Sequence, residues 1–406
     1  MNEHVLIAGG GVAALETLLA LRVLAEDRVD ITILAPERKF INHSMCVEQP
    51  FKPRRVRGIE LDRVAAEFHA HWHRGALARV DHRQRCAITK AGERLGYDKL
   101  VLATGARFEP DFSDALTYRD GRDGPNYRLL LRHLREGRVS KIAFVKPAGA
   151  SWPLPLYDLA LMTAADCVAN DRSDVELSLV TPEEEPLGAF GKQASDAIRG
   201  LLERRGVTLY TSSYGVPGRP GSLHLSPGDH ALAIDRVVTE PRLVGRHIPG
   251  IPVDRDTFIP TDTHGRVLGL EGVFAAGDAT NFPIKQGGLA AQQADAVAET
   301  IAASVGVEVD PEPFHPVLRG VLLTGRSPRY LRADLSGRSG DDSAISGEAL
   351  WWPPDKLAGR YLAPYLSSQV GDALDVHMPD GKHMIPVETP LDPAEPALAE
   401  LADLRR

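Results

Sequence analysis

The sequence predicts an α/β protein with two three-layer, Rossmann-like domains, the second inserted in the first, and a small C-terminal subdomain. Two observations lead to this prediction. Strand and helix patterns alternate as β-α-β from residue 4 and again, as β-α-β-α-β, from residue 141. A further apolar strand pattern at 272–276 follows the second set, so the second unit interrupts the first.

Composition and charge narrow the class of protein. The 406 residues carry a net charge of −8, and arginines are interspersed with Asp and Glu, so no nucleic-acid partner is expected. No apolar run reaches the roughly 18 uninterrupted residues of a transmembrane helix. The chain has three cysteines, Cys46, Cys86 and Cys167, which lie far apart in the sequence. An odd number of distant cysteines does not suit a disulfide framework, so a reducing, cytoplasmic location is expected.

A glycine-rich turn near the N-terminus is the first functional signal. An apolar strand pattern ends at Gly9, and Gly9, Gly11 and Ala14 match G-x-G-x-x-G/A where a helix begins near Val12 and Ala13. Gly9 permits a tight turn, Gly11 lets the backbone approach a pyrophosphate, and Ala14 lets the helix pack closely on the strand. The pattern predicts that this helix N-terminus binds the phosphates of a dinucleotide.

The second strand pattern, residues 29–34, leads to the place where such folds often carry an acid for the ribose hydroxyls. Ala35 stands there, and Glu37 follows two residues later. Glu37 therefore either binds the ribose from the loop or is an ordinary solvated acid.

Three histidines alternate in a segment that looks extended: His69, His71 and His73. On one strand they would share a face, a spacing that can bind zinc or iron. Because no acid or cysteine follows at ligand spacing, we predict solvated imidazoles on an edge strand and no metal site. A three-stranded meander is predicted next, between residues 78 and 98.

Two later turns carry small residues at the ends of buried strands. Ala103-Thr104-Gly105 follows one strand and lets the backbone lie close to a bulky group. Gly277-Asp278 ends the strand at 273–276, and a loop then leads to a helix predicted over 289–303. The N-terminus of that helix would point at whatever the Gly-Asp turn binds.

The second β-α-β unit has a different turn. Residues 147–155 contain one glycine and three prolines, and proline lacks the N–H that a phosphate needs. This unit is therefore poorly suited to bind NAD(P)H, and its first helix is predicted over 157–168. The patterns divide the chain into a first domain at 1–112 and 252–310, a second at 113–251, and a C-terminal interface or cap region at 311–406, whose acidic tail after Pro390 predicts one short helix.

Taken together, the glycine turn with Glu16, Ala103-Thr104-Gly105 and Ala275-Ala276-Gly277-Asp278 resemble the two-dinucleotide-binding-domain flavoproteins of the pyridine nucleotide–disulfide oxidoreductase superfamily. Within it, residues 152–160, the Lys285-Gln286-Gly287-Gly288 entry to the helix and the aromatic C-terminal segment are most similar to sulfide:quinone oxidoreductases and type II NADH dehydrogenases.

The resemblance implies FAD in the first domain. The contacts expected with it are Gly9, Gly11, Val12, Ala13, Ala14, Glu37, Arg38, Val80, Ala103, Thr104, Gly105, Gly277, Asp278, Lys285, Gln286 and Leu289. Asp278 would accept hydrogen bonds from the ribitol. The helix from Leu289 and the charge of Lys285 would both stabilise the negative charge of reduced flavin.

The implied activity is that of an FAD-dependent oxidoreductase. Electrons would pass from a small donor, NAD(P)H or another reductant, through FAD to a quinone or another small acceptor. The degenerate second turn gives NAD(P)H little support as the donor, and the resemblance leaves a homodimer open.

Departures from the family keep two alternatives open. The chain has no C-x₄-C pair, and Ser151-Trp152 stand where sulfide:quinone oxidoreductases carry a redox cysteine. Cys46, close in sequence to His43, lies about where single-cysteine NADH peroxidases keep theirs. The alternatives are a peroxidase or persulfide reductase that uses Cys46, and a flavin-binding regulatory protein without catalysis.

Overall fold

The structure is a computed structural model that describes residues 2–52, 58–110, 112, 114–119, 121–336 and 343–369. The elements before residue 120 are β1 Glu3–Ala8, α1 Val12–Ala25, β2 Val29–Ala35, β3 Lys39–Phe40, β4 Ile59–Glu60, α2 Leu61–Glu67, β5 His71–Arg74, β6 Leu77–Asp81, β7 Cys86–Thr89, β8 Arg94–Gly96, β9 Lys99–Leu102, β10 Arg107–Glu109 and β11 Leu116–Thr117.

The elements between residues 121 and 250 are α3 Gly124–Arg135, β12 Lys141–Val145, α4 Leu154–Ala169, β13 Glu176–Val180, α5 Lys192–Arg204, β14 Val207–Tyr210, β15 Tyr214–Pro217, β16 Ser222–Ser226, β17 Ala231–Ala233, β18 Arg236–Thr239 and β19 Arg242–Val244. After them come β20 Val273–Ala275, α6 Gly287–Ser304, β21 Val317–Leu322, β22 Arg329–Asp334, β23 Ser343–Ser346 and α7 Leu362–Gln369.

Strand β1 lies at the centre of a five-stranded parallel sheet with the order β20-β9-β1-β2-β5. Ile7 of β1 pairs with Ile33 of β2 on one side and with Val101 of β9 on the other. Residues 5–8 are fully buried, because α1 and α6 cover one face of the sheet and the meander β6-β7-β8 covers the other. The structure confirms the first β-α-β unit and the return of the chain to it at β20.

A second five-stranded parallel sheet has the order β11-β18-β12-β13-β14. Helices α3, α4 and α5 cover one face, and the antiparallel sheet β15-β16-β17 covers the other. The same layering therefore occurs twice in the chain, as the repeated strand and helix pattern predicts. Strands β10 and β19, which pair through Phe108 and Leu243, lie where the chain enters and leaves the second sheet.

Three helices begin at or beside glycine or proline residues, which are typical of loops in a sequence. Helix α3, which we did not predict, starts at Gly124-Pro125. Helix α4 begins at Leu154 rather than 157, and α6 begins at Gly287 rather than Leu289. In the first turn of a helix the N–H groups have no partner within the helix, so proline there costs no hydrogen bond and is well tolerated.

The prediction that three histidines share one strand is wrong. Strand β5 begins at His71, and His69 lies before it with φ +49°, a left-handed conformation that ends the preceding helix. His73 lies on the strand, and its Nε2 is 3.0 Å from Oε2 of Glu93.

The C-terminal region contacts both parallel sheets. Its antiparallel sheet β21-β22-β23 packs against the helices of the second sheet, so closely that a Cβ on Gly320 would lie 2.8 Å from the ring of Phe190. Helix α7 packs on α1, where the buried carboxylate of Glu16 accepts the N–H groups of Tyr361 at 2.7 Å and Leu362 at 2.8 Å. The short helix predicted after Pro390 lies outside the described residues.

Within the described ranges, no helix combines the length and the apolar character needed to cross a membrane.

Candidate cofactor site

The site begins at the turn after β1. Gly9 has φ +148°, and a Cβ there would lie 2.1 Å from the carbonyl oxygen of Ala103. Its N–H donates to the carbonyl of Leu34 at 2.9 Å, which fastens the turn between β2 and β9. Only glycine fits this position, as the motif predicts.

Gly11 occupies the N-cap position of α1 and leaves open space. It is exposed, and a Cβ on it would find no atom within 4 Å in the part of the chain that the structure describes. The first N–H groups of α1 therefore border room for a ligand. Glu37, also exposed, lies beside this turn, since its Oε2 is 3.9 Å from the position of a Cβ on Gly10.

The N-terminus of α6 lies next to that of α1. Gly277, with φ +77°, separates them, and a Cβ on it would lie 3.1 Å from Cβ of Ala13 and 3.3 Å from Cβ of Ala290. Its N–H donates to Oε1 of Gln293 at 2.7 Å, which holds the turn after β20 against α6. Two positive helix ends therefore meet at one edge of the first sheet.

The turn after β9 adds an unused polar group to the same edge. Ala103 N–H donates to the carbonyl of Ala8 at 2.9 Å and so extends the ladder with β1. The next residue, Thr104, has a buried Oγ1 with no hydrogen-bond partner among the residues described. Gly105 follows with φ +65°. An orphaned hydroxyl beside open space is what a bound polar ligand would satisfy.

Two charged residues line the approach to α6. Lys285 is only 4% exposed; its Nζ donates to the carbonyl of Thr280 and lies 3.6 Å from the ring centroid of Phe258. Burial lowers the pKa of Lys285 to about 8, although Asp278 and Asp254 oppose the shift. Burial also raises the pKa of Asp278, and Lys285 opposes that rise. The ammonium charge is therefore easily lost near pH 8.

Gln286 and Leu289 hold the start of α6 in place. Oε1 of Gln286 accepts the N–H of Leu289 at 2.8 Å, and its Nε2 donates to the carbonyl of Arg319 at 3.0 Å. Both groups already have protein partners, so their expected contact with a cofactor stays a prediction.

Arg38 lies on the loop between β2 and β3, and Val80 lies on strand β6 of the meander. Arg38 is exposed, and its carbonyl accepts the N–H of Leu61 at 2.8 Å. Val80 is buried, and its N–H donates to the carbonyl of Pro249 at 2.9 Å. A Cβ on Gly250 would lie 2.0 Å from the carbonyl oxygen of Val80, so this strand and the returning chain are in tight contact.

Comparison with known protein structures identifies the fold of the chain. The structure superimposes with a TM-score of 0.76 on the sulfide:quinone oxidoreductase of Aquifex aeolicus, at 18% identity over 85% of this chain and 86% of that one. It matches a ferredoxin reductase from Rhodopseudomonas palustris with a TM-score of 0.62, at 18% identity over 83% of each chain. The chain has a two-domain flavoprotein oxidoreductase fold.

Other comparisons agree with this flavoprotein fold. NDH2 from Plasmodium falciparum, solved in complex with NADH, matches with a TM-score of 0.56 at 15% identity over 69% of this chain and 65% of that one. A ferredoxin reductase component of a chlorobenzene dioxygenase from Cupriavidus sp. (strain PS12) is 25% identical over 337 residues, 76% of this chain and 75% of its own length. No protein-family model matches the chain. The resemblance inferred from the motifs is confirmed.

The turn that follows β12 in the second parallel sheet offers few hydrogen-bond donors. Helix α4 starts after Pro153, and the N–H groups of Leu156 and Tyr157 both donate back to the Pro153 carbonyl, at 3.0 and 3.4 Å. Pro155 has no N–H. The indole of Trp152 packs against the ring of Phe190, with centroids 6.0 Å apart. The first turn of α4 therefore presents little to a pyrophosphate.

Two acids that follow the carboxyl ends of β13 and β18, the half-buried Glu183 and the buried Glu240, were not predicted. Glu183 accepts hydrogen bonds from Tyr157 at 3.0 Å and Thr181 at 2.8 Å, and burial raises its pKa. Burial raises the pKa of Glu240 to about 8 against the opposing charge of Lys146. The available signal was an acid three residues after β13 and one residue after β18, but acids that follow a strand into solvent give the same pattern in sequence.

Cys46 is buried away from solvent in a short 3₁₀ turn. It is 2% exposed, its Sγ is 4.0 Å from the carbonyl oxygen of Asn42, and its own carbonyl accepts the hydroxyl of Tyr118 at 2.7 Å. Its neighbour Val47 packs into the core of the second sheet. These contacts describe a packed side chain, and its redox role stays a prediction.

In the part of the chain that the structure describes, no group of three or more His, Cys, Asp or Glu side chains is arranged to hold a metal ion.

Proposed function

We propose that the protein is an FAD-dependent oxidoreductase that passes electrons from a small donor to a quinone or another small acceptor. One observation carries the proposal: the N-termini of α1 and α6 meet at one edge of the first sheet, with Gly277 between them. Paired helix ends suit a ligand that carries a pyrophosphate and also gains negative charge on reduction.

The residues at this edge fit FAD. Gly11 leaves room for the pyrophosphate to approach the backbone, and the unpartnered hydroxyl of Thr104 has a hydrogen bond to give. Glu37 lies beside the turn, where a carboxylate can accept the ribose hydroxyls. Asp278 would accept the ribitol hydroxyls. FAD, when bound, supplies the electron-transfer chemistry that side chains lack, while these residues orient it and exclude water.

Lys285 tunes this site through its charge. Because it is held by the Thr280 carbonyl and lies over Phe258, its ammonium is fixed near the start of α6. A fixed positive charge there favours a reduced, negatively charged ring system over the oxidised one. Lys285 is therefore proposed to raise the reduction potential of the cofactor.

We also propose the division into domains predicted from the sequence. The strands of the first parallel sheet all come from residues 1–112 and 252–310, and those of the second from 113–251, which supports these bounds. The remaining region, 311–406, would act as the interface or cap.

The donor is proposed to be a small reductant rather than a nucleotide held by its phosphates. The support is the first turn of α4, where Pro155 and the internally bonded N–H groups leave few donors. NAD(P)H remains a candidate to test, since the fold is shared with NDH2, which was solved with NADH. A ferredoxin joins quinone as an acceptor to test, because the relative from Cupriavidus is a ferredoxin reductase component.

The test is an anaerobic titration of the purified protein. Bound or bindable FAD is expected from its visible absorbance, and NADH, NADPH and sulfide are added in turn, followed by a quinone or a ferredoxin. Bleaching by a donor and recovery with an acceptor are expected. A protein that neither contains nor binds flavin contradicts the proposal.

One variant and one rate measurement separate the alternatives. Cys46→Ser is expected to retain turnover with every donor and acceptor that the wild type uses, and loss of turnover with FAD still bound would favour the thiol mechanism. Slow or absent bleaching by all donors would favour a flavin-binding regulatory protein.

We infer a cytoplasmic location from cysteine usage. All three cysteines are buried thiols rather than a disulfide framework. Cell fractionation tests this inference, and recovery of the protein in a membrane pellet after a low-salt wash would contradict it. A homodimer stays a prediction, which sedimentation would check.

A further inference from the structure

Two arginines face each other inside the C-terminal sheet. Arg319 on β21 pairs directly with Arg332 on β22, and the two residues are only 1% and 4% exposed. Buried charges in proteins are ordinarily matched by an opposite charge, because moving an ion out of water is costly. Two like charges on opposing strands make this cost larger.

Two nitrogen atoms of the Arg319 guanidinium make no hydrogen bond with the described residues. Its Nε and Nη2 are buried and donate to no acceptor among the residues that the structure describes. Burial and the charge of Arg332 lower the pKa of Arg319 to about 9, so it is still a cation at neutral pH. Nε and Nη2 together form the planar fork with which arginine binds a carboxylate or an oxyanion.

The side chain of Arg319 is one of the groups that line a cavity of about 70 Å³. It lies between β21, helix α6 and the segment 358–360, and its volume exceeds the roughly 15 Å³ that one water needs. It can therefore hold a small polar ligand. His315 and Gln292 also line it, and the Gln292 amide is already bonded to the backbone of Val317 at 2.9 Å.

The acids around the cavity do not neutralise Arg319. Glu299 is 3.4 Å from Nη1 of Arg360 and accepts the N–H of Glu312 at 3.1 Å, and Glu312 itself is exposed. Burial raises the pKa of Asp295 well above its usual range, and the carboxylate of Glu16 adds to the rise.

We propose that Arg319 binds a small oxyanion or carboxylate in this cavity, with Arg332 adding a second positive charge. The anion would accept hydrogen bonds from the unpartnered N–H groups of the Arg319 guanidinium. The site lies beyond the start of α6 and does not depend on the proposed flavin. Its backbone is tied to that start, since Gln286 donates to the Arg319 carbonyl, so binding would stiffen this end of the helix.

The test is the melting temperature of the flavin-loaded full-length protein in phosphate, sulfate or acetate, against chloride at equal ionic strength. At an anion concentration of about 100 times its Kd, we expect the melting temperature to be about 3 °C higher than in chloride. Arg319→Met removes the fork and is expected to abolish the rise. Arg326→Met removes an exposed arginine from the same hairpin and is expected to keep it.

Two further outcomes keep the test decisive. If Arg319→Met fails to fold, Arg319→Lys keeps the charge but loses the fork, and at least a tenfold weaker anion affinity is expected. Flavin content is measured in each variant; a variant that keeps flavin but loses the anion response supports the proposal. Equal melting temperatures in all anions for the wild type, or a response that survives in Arg319→Met, would overturn it.

Discussion

Gly9 and Gly11 lie two residues apart in one motif but are glycine for different physical reasons. At Gly9 the protein itself leaves no room, since a Cβ would lie 2.1 Å from the Ala103 carbonyl oxygen and φ is +148°. At Gly11 the space is open, and its φ of −96° is one that any residue adopts. The first glycine therefore serves the fold, and we propose that the second serves the ligand.

Alanine substitutions are expected to separate these two roles. Gly9→Ala should lower the free energy of unfolding by about 3–5 kcal/mol, because backbone must move. Gly11→Ala should change it by no more than about 1 kcal/mol, yet weaken FAD binding at least tenfold by filling the approach to the helix end. Denaturant unfolding and flavin titration measure both. Tight flavin binding by Gly11→Ala would show that the pyrophosphate lies elsewhere.

Lys285 predicts a pH dependence. Its pKa is lowered to about 8, so its charge disappears as the pH rises through that value. The reduction potential of the bound flavin should fall around pH 8 in the wild type, whereas Lys285→Met should start lower and lack this inflection. Spectroelectrochemistry across pH 6–10 measures both. An unchanged inflection in Lys285→Met would assign the titration to another group.

The loss of the Lys285 charge should increase the stability of the fold, although it should lower the reduction potential. Between its folded pKa of about 8 and the ordinary value of 10.5, the unfolded chain binds the proton that the folded protein has lost. The wild type should therefore gain stability relative to Lys285→Met as the pH rises through this interval. Chemical denaturation at pH 7 and pH 10 compares the two proteins.

At the scale of elements, Glu16 connects the first helix to the last. Its carboxylate is fully buried and accepts two N–H groups at the start of α7, so it acts as a cap supplied by a distant helix. A Cβ on Gly359 would lie 2.7 Å from Oε2 of Glu16, so this approach also requires a glycine. The motif that begins at Gly9 thus ends in a residue that positions the C-terminal segment.

Glu16→Ala is expected to destabilise the protein by about 2–4 kcal/mol, since it leaves two buried N–H groups without an acceptor. The effect should be largest at residues 362–369, where hydrogen exchange should quicken. Glu16→Gln keeps one accepting oxygen and should lose less. Equal exchange rates in wild type and Glu16→Ala would mean that packing alone holds α7.

At the scale of the whole molecule, one buried ion pair joins the second sheet to the C-terminal region. Asp158 on α4 is fully buried and pairs with Lys356, and its other oxygen accepts the N–H of Leu323 at 2.7 Å. Burial raises the pKa of Asp158 to about 6, and Lys356 opposes the rise. The same region also contains α7, which packs on α1. The C-terminal region therefore contacts the helices of both parallel sheets.

Breaking this pair should cost more than replacing it. Asp158→Asn leaves the buried ammonium of Lys356 without its countercharge, and a loss of about 3–5 kcal/mol is expected. The double variant Asp158→Asn with Lys356→Met removes both charges and should recover part of that loss. Thermal and denaturant unfolding measure it, and additive effects of the two substitutions would contradict a specific pairing.

The sequence by itself determined the features that depend on neighbours in the chain. The glycine turn at Gly9, the Ala-Thr-Gly and Gly-Asp turns, and the repeated β-α-β order follow from backbone conformation and apolar periodicity, which are local properties. They were enough to predict two parallel sheets, and the resemblance that these turns carry to a flavoprotein superfamily implied FAD. Where prediction failed locally, as at the first turns of α4 and α6, proline and glycine resemble loop whether or not a helix follows.

Only the tertiary structure decided which distant groups share one environment. Glu16 meets Tyr361 across 345 positions, and Arg319 meets Arg332 because an antiparallel register aligns them. Neither meeting leaves a local signal, because burial, unmet charge and an open cavity are properties of packing. The N-termini of α1 and α6 are also brought together by packing, and the flavin site that we propose depends on that meeting.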